Sequence, residues 1–276
     1  MNFMIMDKEA PIGVFDSGVG GLTVAREIMK NLPKEKIVYF GDTARVPYGS
    51  KSRETVLRYS RQIVRFLQTQ GVKAIVVACN TASALALDAI EKEIDIPIIG
   101  VVKAGAKVAA DTTTSKKVGV IATESTIHSG LYQDYIHTVN PQITVLGKAC
   151  PLLVPLVEEG WMEDDVTKEV VKRYVQELKE EQIDTLILGC THYPLLSKTV
   201  GEIMGNGVKL VNPAYETAVE LEKLLTKANI RSEVETSGDF PYRFFVSDAA
   251  NKFTEFAKSI LPVDMPKAHQ INIEEY

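Results

Sequence analysis

The sequence predicts an α/β fold of two pseudo-symmetric domains, each a mostly parallel sheet flanked by helices, with the active site in the cleft between them. Three observations carry this. Apolar runs of four to seven residues bounded by Gly, Asp, Asn or Pro alternate with longer amphipathic stretches, the pattern of βαβ units. The runs recur in register: Gly13 to Ile37 and Gly119 to Ile143 both span 24 residues, and Gly13 to Cys79 spans 66 against 71 for Gly119 to Cys190. Cys79 and Cys190 each follow a buried-looking strand, and each precedes a hydrogen-bonding pair, Asn80-Thr81 or Thr191-His192.

The first strand, IGVFD (12–16), runs into DSGVGGLTV, where Asp16, Ser17, Gly18, Gly20 and Gly21 lead to a helix marked by Leu22, Ala25, Ile28 and Leu32. A glycine-rich strand-to-helix turn offers backbone N–H groups to an anion. This one lacks the Gly-Lys-Ser/Thr ending of a P-loop, and taken alone it is equally a tight turn capped by Asp16. KIVYF (36–40) follows and leads to GDTARVPYGSKS, a turn-rich segment with Asp42, Thr43, Pro47, Tyr48 and Gly49 that is either a surface loop or a cover for a site at the strand ends. A helix period at Val56, Ile63 and Leu67 precedes AIVVA (74–78), Cys79 and a further strand, PIIGVV (97–102).

The second unit repeats this plan. VGVIA (118–122) and ITVLG (143–147) come first, then a helix period at Val166, Val170, Val171, Tyr174, Val175 and Leu178, then TLILG (185–189), Cys190 and VKLVN (208–212). Pro97 lies 18 residues past Cys79 and Val208 lies 18 past Cys190. The expected domains are 1–103 with 211–276, and 104–210. In the tail, a helix period at Ala218, Leu221, Leu224 and Leu225, a loop SGDFP (237–241), a strand RFFVS (243–247) and a helix around Phe253 to Ile260 are expected to pack on the first unit.

Composition narrows the function. A chain of 276 residues with 45% hydrophobic and 24% charged residues has room for two cores, and its net charge of −5 without a basic cluster argues against a nucleic-acid partner. The opening residues lack a signal-peptide pattern and no apolar run reaches membrane-spanning length, so a cytoplasmic protein without membrane association is expected. Three cysteines are an odd set for a disulfide framework. A lone cysteine is usually a core hydrophobe, but matched placement in a repeat favours chemistry for Cys79 and Cys190. At the start of a helix or turn, the dipole is expected to lower a thiol pKa, with Asp16 or His192 near enough to relay its proton. Two opposed bases point to proton exchange at carbon.

Cys150, which precedes a proline, reads as structural. His128, His137 and His269 are scattered without metal-ligand spacing, so no metal is expected. Lys103 and Lys148 lie near strand ends, but no neighbouring set identifies a pyridoxal site. Glu158, in PLVEEG, either reaches the second cysteine's side of the cleft or is an exposed helix-end carboxylate.

The motifs GVFDSGVGGLTV, GDTARVPYG, ACNTASA and LGCTHYPLL, in this order and spacing, resemble those of the cofactor-independent glutamate racemases of bacterial cell-wall synthesis, over essentially the whole chain. The resemblance implies two α/β domains with the site between them, and Cys79 and Cys190 as proton donor and acceptor toward the D- and L-isomer respectively. Asp16 and His192 are implied as their assistants, with Glu158 as a further one. Asp16, Ser17, Tyr48, Gly49, Asn80, Thr81, Thr191 and His192 are implied as the substrate shell. It also implies glutamate as the small-molecule substrate, no cofactor, a homodimer, and supply of D-glutamate to peptidoglycan. The alternatives are an aspartate or hydantoin racemase of the same superfamily, or a non-catalytic amino-acid-binding protein.

Overall fold

The computed structural model describes residues 7–234, 241–263 and 266–276; residues 237–240 of the expected SGDFP loop lie outside the described residues. The strands are β1 (Ile12–Asp16), β2 (Ile37–Gly41), β3 (Ala74–Val77), β4 (Ile98–Gly100), β5 (Lys117–Ala122), β6 (Thr144–Ala149), β7 (Thr185–Gly189), β8 (Lys209–Val211), β9 (Tyr242–Val246) and β10 (His269–Gln270). They form a six-stranded sheet in the order β10-β9-β2-β1-β3-β4 and a four-stranded sheet in the order β6-β5-β7-β8. Every pairing among the described residues is parallel. The strand order β2-β1-β3-β4 is thus repeated as β6-β5-β7-β8, giving two pseudo-symmetric α/β units.

This order dictates where a ligand fits. The connection leaving β1 runs to one side of it and the next one crosses to the other side, so the helices diverge outside the carboxyl ends of β1 and β3 and leave a crevice. The same divergence occurs at β5 and β7. Asp16 ends β1 and Cys79 follows β3 by two residues, while Cys190 directly follows β7. Gly13 pairs with Ile75 and Gly119 with Leu186, so each cysteine stands four residues beyond the partner of the equivalent glycine.

The repeat is looser elsewhere. Gly13 pairs with Val38, but Gly119 pairs with Leu146, and Ile143 precedes β6 instead of matching Ile37. The cause is the longer crossover of the second unit, which holds two helices, Glu124–His128 and Leu131–Val139, where the first holds only Leu22–Asn31. PIIGVV is also divided: β4 ends at Gly100, and Val101 and Val102 open the helix Val101–Thr112. A short apolar run has no periodicity that separates a strand from a buried helix start. The edge strand β10, polar and two residues long, gave no apolar signal.

The chain crosses between the sheets through the helices Val101–Thr112 and Pro213–Lys227, which pack on each other in a core shared by both units. Local chemistry sets the helix starts: Ser52 and Asp164 accept N–H bonds from Thr55 and Val166, and Asn212 caps a helix that opens on Pro213. Separate apolar clusters fill the outer faces beneath Arg53–Thr69 and Asp165–Glu180. Among the described residues no helix is long and apolar enough to cross a membrane.

At the amino ends of β2 and β3, away from the crevice, Lys73 and Glu35 form an ion pair of 2.6 Å with both side chains 1% exposed. Glu35 also accepts the Ser232 N–H at 2.9 Å, which ties the tail to the first unit. Removing one partner strands a buried charge, so Lys73→Met should lower unfolding stability by about 3–5 kcal/mol. Glu35→Gln with Lys73→Met, which removes the stranded charge and keeps an acceptor for the Ser232 N–H, should regain most of it. Denaturant titration of the three proteins checks this; an unchanged midpoint for the single variant would show that the pair is dispensable.

Candidate active site

A cavity of about 320 Å³ opens where the two crevices face each other. The first unit lines it with Ser17, Gly18, Val46, Pro47, Tyr48, Gly49, Cys79, Asn80 and Thr81, and the second with Thr123, Val154, Pro155, Glu158, Cys190, Thr191 and His192. Every residue named from sequence for the site is therefore in the lining except Asp16, which is fully buried just beneath it. Larger hollows, of about 590 and 730 Å³, hold no cysteine or histidine.

Cys79 is held by local backbone geometry. It caps the helix Asn80–Leu85, its Sγ accepting the Ala82 N–H at 3.4 Å while facing Ser17 Oγ at 3.6 Å. Ser17, not Asp16, is thus its hydrogen-bonding neighbour. The expected lowering by the helix is overridden: burial, and then the nearby Asp16 carboxylate, push the thiol up to about 12. Cys79 is a neutral thiol in this environment at neutral pH.

Cys190 has a different setting. Its Sγ lies 3.8 Å from His192 Nδ1, and His192 Nε2 lies 3.1 Å from Glu158 Oε1, making a line from thiol to imidazole to carboxylate. Burial acts to lower the His192 pKa, but the hydrogen bonds to Cys190 and Glu158 outweigh it and raise it to about 10. The same bond to His192 holds Glu158 below the usual carboxylate range. At neutral pH an imidazolium therefore stands beside Cys190. Asp16 is shifted upward by burial, against the pull of His192 and of the backbone N–H groups of Gly21, Gly18 and Ser17. Its carboxylate accepts from Gly18 N at 3.0 Å and weakly from Thr191 Oγ1 at 3.5 Å, so it bridges the two units.

Other contacts stitch the units around the cavity. Tyr132 donates to Asn80 Oδ1 at 2.6 Å, Thr23 to the Thr191 carbonyl at 2.9 Å, and Ser125 to the Gly49 carbonyl at 2.8 Å. Thr81, Thr123 and Thr126 share their hydroxyls in a triangle with edges of 2.9, 2.9 and 3.3 Å. Sequence reasoning missed Thr123, although the repeat held the signal: the 106-residue offset from Gly13 to Gly119 carries Ser17 onto Thr123. Val154 and Pro155 gave no such signal.

The cysteine read as structural lies apart. Cys150 is fully buried, outside the lining, with its Sγ 3.5 Å from the Lys148 carbonyl, and burial pushes its thiol up to about 12. Lys148 pairs with Glu177 at 3.2 Å and Lys103 lines a different hollow. His137 meets the Ile143 carbonyl at 2.9 Å and His269 stacks on Phe245. Among the described residues no group of three or more His, Cys, Asp or Glu is placed to hold a metal.

The model of the Asp/Glu/Hydantoin racemase family matches residues 12–221. The chain belongs to this family. It is 48% identical to the glutamate racemase of Geobacter metallireducens, over 95% of this chain and 97% of the relative. The solved glutamate racemase isoform RacE1 of Bacillus anthracis superposes with a TM-score of 0.91 at 40% identity, covering 96% of this chain and 98% of that one. The Francisella tularensis glutamate racemase, solved in complex with D-glutamate, superposes with a TM-score of 0.90 at 39% identity, covering 98% of this chain and all of that one (100%). Family membership makes the chain an amino-acid racemase, an isomerase.

Two outcomes follow from the geometry. In an NMR titration the His192 imidazole should titrate near pH 10, and in Glu158→Gln at a lower pH because a partner that favours the cation is gone. A native His192 titrating near its ordinary 6.5 would contradict the line described above. Separately, a Cβ on Gly20 would stand 2.3 Å from Thr191 Oγ1 and 2.5 Å from His192 Nδ1. Gly20→Ala should therefore displace His192 and cost about 100-fold in kcat/KM. Near-native kinetics in that variant would mean the imidazole position is not critical.

Proposed function

We propose that this racemase interconverts L- and D-glutamate by a two-base proton transfer between Cys79 and Cys190, without cofactor or metal. The observation that carries this reading is the pair of thiols presented to one cavity by opposite units. In the direction from L to D, the Cys190 thiolate, beside the His192 imidazolium, takes the α-proton. The neutral Cys79 thiol delivers its own proton to the opposite face of the carbon, so the configuration inverts and the negative charge ends on Cys79. The reverse reaction restores it. Asp16 and His192 assist the two thiols, and Glu158 holds His192 charged. The resemblance supports the assignment of isomers to thiols.

The substrate carboxylates are held by the hydroxyls of Ser17, Thr81 and Thr191, the Asn80 amide and the backbone near Gly49, with Tyr48 walling the cavity. Neutral donors suit this task because they stabilise negative charge that builds on the substrate carboxylate during α-proton removal. Closure of the unit 1–103 with 211–276 against the unit 104–210 excludes water. The same reading makes the chain a cytoplasmic homodimer that supplies D-glutamate for peptidoglycan.

Circular dichroism of L- and D-glutamate with the native protein, chelator present and no pyridoxal phosphate added, tests the reaction. Loss of optical rotation is expected; activity on aspartate alone would move the substrate assignment, and absence of solvent deuterium at the α-carbon would leave mere binding. Cys79→Ala and Cys190→Ala should each abolish racemisation, with deuterium exchange surviving only into L-glutamate for the first and only into D-glutamate for the second. Cys150→Ala should turn over nearly normally. Full racemisation by both active-site alanine variants would defeat the two-thiol mechanism.

A further inference from the structure

The loop between β2 and the helix Arg53–Thr69 supplies Val46, Pro47, Tyr48 and Gly49 to the cavity, yet it has no regular secondary structure of its own. Its position is set by a buried charge network. Asp42 is fully buried and the Arg45 side chain is 9% exposed. Asp42 accepts Arg45 Nε through both carboxylate oxygens, at 3.0 and 2.8 Å, together with Ser247 Oγ at 2.8 Å and the Tyr48 hydroxyl. The Tyr48 hydroxyl is thus committed to Asp42, and what the loop offers a ligand is the Tyr48 ring and the backbone around Gly49.

On its other side Arg45 reaches the end of the chain. Nη1 donates to Gln62 Oε1 at 2.6 Å and to Glu274 Oε1 at 3.0 Å, and Gln62 Nε2 donates to Glu274 Oε2 at 3.1 Å, closing a triangle with the turn Ile273–Glu275. The guanidinium lies over the Tyr59 ring, 4.0 Å from its centre, and Tyr59 in turn packs on Tyr48 at 5.7 Å. Beyond the loop, the Gly49 carbonyl accepts the Ser125 N–H of the second unit at 3.0 Å. A continuous run of fixed contacts therefore connects the C-terminal turn to the cavity wall.

We propose that Arg45 is a positioning residue through which the C-terminal turn holds the Tyr48–Gly49 wall in its ligand-binding place. The proposal rests on the reading of this cavity as the glutamate site. Because the network touches neither thiol, it acts on binding rather than on proton transfer. The equilibrium constant between enantiomers is unity, so kcat/KM stays equal in the two directions, and loss of the network appears as a raised KM for both isomers.

The test compares full-length Arg45→Met, Asp42→Asn with Arg45→Met, and Ser17→Ala with the native protein, assayed well below each melting temperature. Arg45→Met should raise both KM values about tenfold or more, with kcat changed by less than about threefold. The double variant removes the stranded charge, and the amide that replaces the Asp42 carboxylate can accept one of the Tyr48 and Ser247 hydroxyls at its oxygen and donate to the other from its nitrogen, so it should recover the native melting temperature and keep the raised KM. It carries the test alone if the single variant does not fold. A double variant that recovers both melting temperature and KM, or a folded Arg45→Met with native KM, would overturn the proposal. In that last case a raised KM for Ser17→Ala leaves the site reading standing, and a native KM there overturns both.

Discussion

Gly20 has no side chain, and His192 and Thr191 of the other unit occupy the space one would fill. This approach of a bare backbone turn to an imidazole is the constraint on which the site depends. It brings the ends of β1 and β7 close enough to bury Asp16 completely and to leave His192 only 6% exposed. Thr23 secures the contact, its hydroxyl placed 2.9 Å from the carbonyls of both Gly20 and Thr191. Water kept out by that contact cannot solvate the charges, and their ionisation is then set by one another. The raised thiol of Cys79 and the raised imidazole of His192 are both consequences of the same closeness.

The duplicated architecture places like residues in like positions and then departs from symmetry where the chemistry does. Ser17 and Thr123 are equivalents that both carry hydroxyls, and the two cysteines are equivalents that both carry thiols. Asp16, by the offset that pairs the glycines, falls on Ala122, and His192, by the offset that pairs the cysteines, falls on Thr81. One unit therefore contributes the buried carboxylate and the other the imidazole with its carboxylate partner Glu158. The result is one thiol kept protonated by its surroundings and one placed beside a positive charge, the starting state that the proposed two-base transfer requires.

Much of this was legible in the sequence because it is local or repeated. The strands are bounded apolar runs, and matched spacing singled out Cys79 and Cys190 over Cys150. Local pattern failed where the deciding interaction is distant. Val101 and Val102 read as strand because their burial is the same in either conformation. The Cys79 pKa follows from burial between units, which no helix-start argument contains. Arg45, Gln62, Ser247 and Glu274 meet only after the last strands join the first sheet, so nothing near Arg45 in sequence announces its partners. Thr123 was within reach, since the offset that paired the glycines also points to it.

Cys79 caps a helix with its sulfur. As a thiol it donates toward Ser17 and accepts from the Ala82 N–H; as a thiolate it accepts from both, and the only change required of the protein is a turn of the Ser17 hydroxyl. The backbone donor is already aimed at the sulfur in either protonation state. The reorganisation that water would have to perform around an anionic sulfur is thus built into the start of the helix Asn80–Leu85, which can hold either protonation state of Cys79 while the backbone stays still.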